Sequence, residues 1–253
     1  MTQDLASALN LPGQGLLSLV GAGGKTTLMY RLGAELMRSG LRVLCTTTTK
    51  IFPPHAREAR LVLTSADTHW LDTCRTMSAS QVVCLGSEHI HDKISGLSCA
   101  TINTLAREKI FDWILVEADG ARGLALKAPA EHEPVVPEAS THVLAVLGLK
   151  ALGQPLEENQ VCRSGHYARI TGLAPGAAVS PESVARLCVH PDGAFKNTPP
   201  GAQRLLWLNQ ADVPGLLDLG REIVRHVCTQ EVAVHRTCIG AAQQECCVFE
   251  VWP

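Results

Sequence analysis

The 253-residue chain has no apolar run approaching the roughly 18 residues that a membrane-spanning helix needs. Its opening residues, MTQDLASALNLPGQG, lack the basic stretch and long apolar core of a secretory leader. Charge of one sign is missing too: 22 Lys and Arg face 24 Asp and Glu, so nothing electrostatic draws the chain to nucleic acid or to an anionic membrane surface. The ten cysteines include no C-x-x-C pair, and most sit in apolar segments such as RVLCTTT, QVVCLG and RTCIG. They read as buried free thiols in a reducing compartment, with the vicinal Cys246-Cys247 as the one unusual arrangement. Repeats and low-complexity tracts are also absent. These absences predict a cytoplasmic protein with no nucleic-acid and no membrane partner.

What is present is a chain that is 46% apolar and long enough for one sizeable core without disulfides, so residues 1–253 are expected to form one domain. Short β-rich runs alternate with helical patterns, which predicts an α/β fold with a mainly parallel sheet flanked by helices. Strands are expected at 16–20, from 41, and at 60–63, 81–85, 112–118, 142–147, 204–209 and 232–239. Helices are expected at 25–39, 65–78, 98–109, 181–189 and 213–228. Gly40 ends the first helix as a C-cap, and Ser180-Pro181 opens a later one with a capping residue before a first-turn proline. Long loops are expected at 120–138 and across 148–201, interrupted by the 181–189 helix, and such loops in compact domains are commonly functional.

The stretch LLSLVGAGGKTTLMYRLGAELMRSG (16–40) places a Gly-rich turn between the first strand and the first helix. A phosphate loop of the usual spacing would need glycine where Leu19 stands, yet the shorter G-x-G-G-K-T-T retains every phosphate-contacting part. Backbone amides from Gly21, Ala22, Gly23 and Gly24 can cradle phosphate oxygens at a helix N-terminus. Lys25 would reach the β- and γ-phosphates and the Thr26 hydroxyl would ligate Mg²⁺, with Thr27 beside it. CTTTTKIFPP (45–54) adds threonines at the carboxyl end of the second strand, where Thr47 and Thr48 could offer hydroxyls to the metal or the γ-phosphate.

In FDWILVEADGARG (111–123), Glu117 and Asp119 follow an apolar strand and share one face. Two adjacent carboxylates repel unless a cation relieves them, and Mg²⁺ would do so. Asp119 is the first choice for the metal or its water shell, and Glu117 for orienting the attacking water. The following segment resembles a switch loop, with Gly120 and Gly123 for motion and Arg122 and Lys127 for phosphate charge. Further on, RLLWLNQADVPG (204–215) resembles the Asn-Lys-x-Asp guanine-recognition motif, with Asn209 and Asp212 in place and Gln210 where lysine is usual. A carboxylate there accepts from guanine and is left unpaired by adenine, which favours GTP over ATP. The small residues Gly240-Ala241-Ala242 could bring a backbone amide to the base oxygen.

Together VGAGGKTT, TTTTKIFPP, VEADGARGLALKAPAEHEPVVP, HPDGAFKNTPPGAQRLLWLNQAD and the terminal strand resemble the YqeC family over nearly the whole chain. The resemblance implies a phosphate-loop NTPase that serves as an accessory factor in the maturation of a selenium-dependent molybdenum hydroxylase. It also implies GTP or ATP with Mg²⁺ as ligands, the client hydroxylase or its cofactor-maturation proteins as partners, and leaves room for a homodimer paired across the nucleotide. A ligase or kinase of a small acceptor, and a nucleotide-controlled binding switch without turnover, are the alternatives.

Overall fold

The computed structural model describes residues 3–77, 79–230 and 234–253. A short helix α1 (Leu5–Ala8) precedes β1 (Gly15–Gly21), α2 (Lys25–Arg38) and β2 (Val43–Thr47). Next come β3 (Lys50–Ile51), β4 (Arg60–Leu63), α3 (Trp70–Thr76), β5 (Val83–Gly86), β6 (His89–Ile90) and β7 (Lys93–Ser95). The middle of the chain forms α4 (Cys99–Glu108), β8 (Trp113–Glu117), β9 (Leu126–Lys127), β10 (His142–Gly148), β11 (Val161–Cys162) and α5 (Ser164–Thr171). It closes with α6 (Pro181–Val189), β12 (Gln203–Asn209), α7 (Leu216–Cys228), β13 (Arg236–Gly240) and β14 (Val248–Trp252).

Nine strands form one sheet in the order β14-β13-β12-β10-β1-β8-β2-β5-β4, parallel throughout except for β14, which runs antiparallel to β13. Right-handed crossovers then decide which face each helix covers. The step from β1 to β2 runs one way along the sheet and puts α2 on one face. The steps β4 to β5, β5 to β8 and β12 to β13 run the other way, and α3, α4 and α7 pack on the opposite face. Side-chain alternation agrees: Leu17 and Leu19 of β1 join the α2 core with Trp113, Leu115, Leu144, Val146 and Trp207, whereas Val20, Val143, Ala145 and Leu206 join the core under α6 and α7. The direction of winding reverses between β1 and β10, and at such a reversal the loops beyond the strand ends part to leave a crevice.

The principal elements follow the sequence pattern. In α2, Leu28, Leu32 and Leu36 are buried on one face, and Gly40 at φ +85° leaves the helix as expected. The Ser180 hydroxyl accepts from the Ser183 amide, Ser183 reciprocates, and Pro181 starts α6. All ten cysteines are free and seven are buried. Several expectations need revision. The segment 148–180 carries a 3₁₀ turn at Leu149–Ala151, β11 and α5, where a long loop is expected; α5 escapes notice because Gly, Ser, His and Arg surround its buried Tyr167 and Ile170. The helix expected over 65–78 is seen as α3, with 78 outside the described residues, and that over 213–228 begins at Leu216, after Gly215 at φ +82°. The strand expected over 232–239 is seen as β13, while 232 and 233 lie outside the described residues. Small two- and three-stranded sheets, β9 with β11 and β3-β7-β6, are unforeseen because strands of two or three residues are too short to show a period.

Among the described residues no helix is long and apolar enough to cross a membrane. Trp207, with no exposed surface in the middle of β12, is among the largest buried side chains. Trp207→Ala is expected to lower unfolding free energy by about 3–5 kcal/mol, measured by urea denaturation, because the void cannot close inside a sheet paired on both sides.

Candidate functional site

The turn leaving β1 is shaped by what lies behind it. Gly21, Gly23 and Gly24 have φ of +89°, +87° and +120°. A side chain on Gly21 would strike the Val146 carbonyl, and one on Gly24 would strike the Asn209 amide. On Gly23 it would come within 2.6 Å of both Ala125 O and the Gly148 backbone. The glycines are therefore dictated both by the left-handed backbone and by its support. The Ala22 amide donates to Val146 O at 2.8 Å and pins the loop to β10. Gly24 offers no side chain to cap α2, so the amides of its first turn stay available at the helix's positive end.

Lys25 is almost wholly buried at the centre of this turn. Its ammonium donates to Gly21 O at 2.6 Å and lies 3.1 Å from Asp119 and 3.8 Å from Glu117. Burial alone would lower its pKa, but the two carboxylates outweigh that and hold it above the ordinary lysine value. Glu117 ends β8 and accepts from the Thr26 hydroxyl at 2.6 Å; burial raises its pKa against the pull of Lys25. Asp119, 1% exposed, accepts from the Gly21 amide at 3.1 Å. Its other neighbour is Lys127, also at 3.1 Å. Lys127 in turn donates to Gly120 O and to Glu133, each at 2.7 Å, and Glu133 meets Arg163 at 2.8 Å. A chain of alternating charges, Lys25–Asp119–Lys127–Glu133–Arg163, thus runs from the loop to the start of α5.

The sequence readings fare differently in space. Glycines 21, 23 and 24, Lys25, Thr26, Glu117 and Asp119 are brought together. Exposed Thr27 stands at the rim of the same turn. Thr47 and Thr48 do not present free hydroxyls to it: Thr47 donates to Glu117 O at 2.8 Å and Thr48 to Val135 O at 2.9 Å, so they fasten β2 to β8 and to the 120–138 segment. Lys127 is buried behind the acidic pair and does not line the cleft. Glu133 and Arg163 were missed. The only sequence signal for Glu133 is its position six residues after Lys127 in the most family-like string, and Arg163 sits where no periodic pattern exists.

Two recesses open from the turn in opposite directions. The smaller, 190 Å³, is bounded by Gly24 and Thr27 on one side and by Asn209, Gln210, Asp212, Ala241, Ala242 and Gln243 on the other. Asn209 is a strut: its amide donates to Gly23 O at 2.6 Å and its carbonyl accepts from Ala242 N at 2.9 Å. The Ala241 amide donates to Cys247 O, so in the Gly240-Ala241-Ala242 stretch, expected to bring a backbone amide to the base oxygen, both alanine amides are already engaged within the protein. Asp212 is exposed and accepts from Gln244 at 3.0 Å. Arg31 of α2 grips the carbonyls of Ala242, Gln244 and Glu245, tying this wall to the helix that carries Lys25. The larger cleft, 690 Å³, runs from Gly23–Thr27 past Glu117 to residues 50–52, Lys93, 120–124 and Arg163. Arg122, Arg163 and Gln210, all at these rims, hold left-handed φ of 52°, 60° and 69°. Asn10, His91, Lys109 and Asn197 share that region elsewhere in the fold.

Lys127→Ala leaves Asp119 and Glu133 buried without their shared cation, and a stability loss of about 3–5 kcal/mol is expected in urea unfolding at neutral pH. Glu133 gives a pH signature. Burial pushes its pKa up, but Lys127 and Arg163 prevail and set it below the ordinary 4.5. The unfolded chain therefore binds the extra proton first, so the contribution of Glu133 is full above about pH 4.5 and is lost as pH falls through the folded value. Acid titration of Glu133→Gln is expected to show a shallower loss of stability across that interval than wild type.

Among solved structures, FtsY from Mycoplasma mycoides superposes with a TM-score of 0.42 at 12% identity, covering 92% of this chain and 64% of that one. The hydrogenase maturation factor HypB from Archaeoglobus fulgidus gives 0.38 at 14% identity, covering 88% and 79%. The signal recognition particle receptor FtsY from Elizabethkingia anophelis gives 0.40 at 15%, covering 97% and 67%. The chain thus spans less than two thirds of the Mycoplasma FtsY structure. Sequence similarity is much closer to the YqeC protein of Escherichia coli (strain K12), 39% identical over 205 residues, or 77% of this chain and 75% of that protein. A family model described as YqeC protein matches residues 17–165. The chain belongs to the YqeC family.

Proposed function

We propose that this protein binds a nucleoside triphosphate with Mg²⁺ at the G-x-G-G-K-T-T turn and hydrolyses it, acting as an accessory factor for a client enzyme. One observation carries the reading: an ammonium, Lys25, is buried beneath an uncapped helix N-terminus and neutralised by two carboxylates at 3.1 and 3.8 Å. A triphosphate supplies that ammonium with a stronger set of partners, at the place where the helix amides and dipole favour negative charge.

The donor set fits Mg²⁺. Thr26 and Glu117 present a hydroxyl and a carboxylate 2.6 Å apart at the cleft, hard oxygen ligands of the kind that leave room for phosphate oxygens and water. Asp119 accepts from the loop amide of Gly21 and lies between two lysines, which suits it to setting the loop and the metal's water shell. Bound Mg²⁺ would neutralise charge on the β- and γ-phosphates. Lys25 would hold the γ-phosphoryl group, and Glu117 would orient the attacking water. The 190 Å³ recess across Gly24 is the place for the base, with Asn209 shaping its wall and Asp212 accepting from guanine. Support for GTP over ATP comes from that carboxylate alone. The client is read from the family resemblance as a selenium-dependent molybdenum hydroxylase or its cofactor-maturation proteins.

Equilibrium binding and phosphate release with GTP and ATP, with and without Mg²⁺, test the reading. Lys25→Ala is expected to lower turnover by at least ~10²-fold, as removal of a group that stabilises developing charge does. Asp212→Asn is expected to erase any preference for GTP while leaving ATP affinity unchanged. Unaltered nucleotide affinity in Lys25→Ala would contradict the site.

A further inference from the structure

The two recesses make different demands on a ligand. A triphosphate seated on the turn with its base in the 190 Å³ recess leaves the far part of the 690 Å³ cleft to something else. That part is basic. Antiparallel pairing of β3 with β7 brings Lys50 and Lys93 to the cleft on neighbouring strands. Neither lysine has a carboxylate within ion-pair distance among the described residues. Arg122 reaches in from the 120–124 turn, 69% exposed; among the described residues its ion-pair partner is Glu158 at 3.6 Å, itself 53% exposed. Solvent weakens a pair of that kind to almost nothing. The acids facing the cleft are committed: Glu117 to Thr26 and Lys25, Glu133 to Lys127 and Arg163. The surplus positive charge therefore faces open space.

The same wall carries an aromatic ring. Phe52 is 59% exposed, against 38% for Phe249, the other exposed large hydrophobic side chain among the described residues. The Lys93 ammonium stands 4.9 Å from the ring centroid. A ring that keeps more than half of its surface open to the cleft offers a stacking platform to a planar ligand. The mount is firm. The amide of Gly96 donates to Thr49 O at 2.6 Å and that of Leu97 to Thr47 O at 2.8 Å, which anchors the β3-β7-β6 sheet to the end of β2.

We propose that this cleft holds a second small molecule beside the nucleotide, one that carries an anionic group and a planar ring. Lys50, Lys93 and Arg122 receive the anion, and Phe52 receives the ring. Its placement next to the γ-phosphate rests on the nucleotide reading given above. The site would let the protein sense or act upon a specific small molecule in step with its nucleotide state.

Flavin mononucleotide serves as the probe, since its fluorescence reports binding and riboflavin supplies the same ring without the phosphate. The full-length protein is titrated with each, alone and with saturating Mg²⁺ and a β,γ-imido analogue of GTP or ATP. Flavin mononucleotide is expected to bind in the presence of the analogue, with riboflavin about tenfold weaker or more, the scale of a charge-assisted contact. The double variant Lys50→Ala, Lys93→Ala is expected to weaken the phosphorylated probe by about tenfold with analogue affinity unchanged, and Phe52→Ala to weaken both probes. The proposal is overturned by equal affinity for the two flavins, by displacement of the probe by the analogue, by an unaffected double variant, or by absence of probe binding. Absence of analogue binding with the probe still held marks a failure of the nucleotide reading alone and supports the cleft as an anion site in its own right.

Discussion

The burial of the Lys25 ammonium constrains everything around it. A cation removed from water at the end of a parallel strand is tolerable only with carboxylates at hand, and these come from the end of β8, the neighbouring strand. Two carboxylates so close to each other in turn need more than one cation, which is why Lys127 lies on the far side of Asp119. Lys127 brings Glu133, and Glu133 brings Arg163. Each charge in the chain is there because its neighbour could not be buried alone. The 120–138 segment is thereby held to the loop by electrostatics, although it is irregular over most of its length.

Under the proposed function such a chain would link ligand state to conformation. Phosphates that captured Lys25 would withdraw it from Asp119, and the balance of charge would then shift toward Lys127, Glu133 and the start of α5. Gly21 O and the two acids already satisfy the ammonium within the protein. A nucleotide bound as proposed would have to compete with these internal partners, and the loss of those partners is what neighbouring segments could register.

The sheet supplies the rigidity that this competition requires. Because winding reverses beside β1, the loops after β1, β8 and β12 converge, and the glycine turn backs directly onto Val146, Gly148 and Asn209. Asn209 and Arg31 carry the same rigidity to the 241–245 wall, while β3 and β7 build the opposite wall from strands of only two and three residues. The left-handed backbones of Arg122, Arg163 and Gln210 lie where these walls meet the cleft.

The α/β class, the principal strands and helices, the glycine turn with Lys25 and Thr26, and the acids Glu117 and Asp119 are all legible along the chain. Those features are local: a strand's apolar run, a helix's periodicity and a turn's need for positive φ are written in consecutive residues. Which partner each charge has emerges only on folding. Lys127 faces inward because Asp119 and Glu133 are there to receive it, and Thr47 and Thr48 turn to backbone carbonyls because β8 and Val135 lie beside them. Arg163 reaches Glu133 from 30 residues away. Lys50, Phe52 and Lys93 share a wall only through strand pairing too short to leave a pattern. Nothing in neighbouring residues encodes such contacts, because they arise when segments distant along the chain compete for the same buried space.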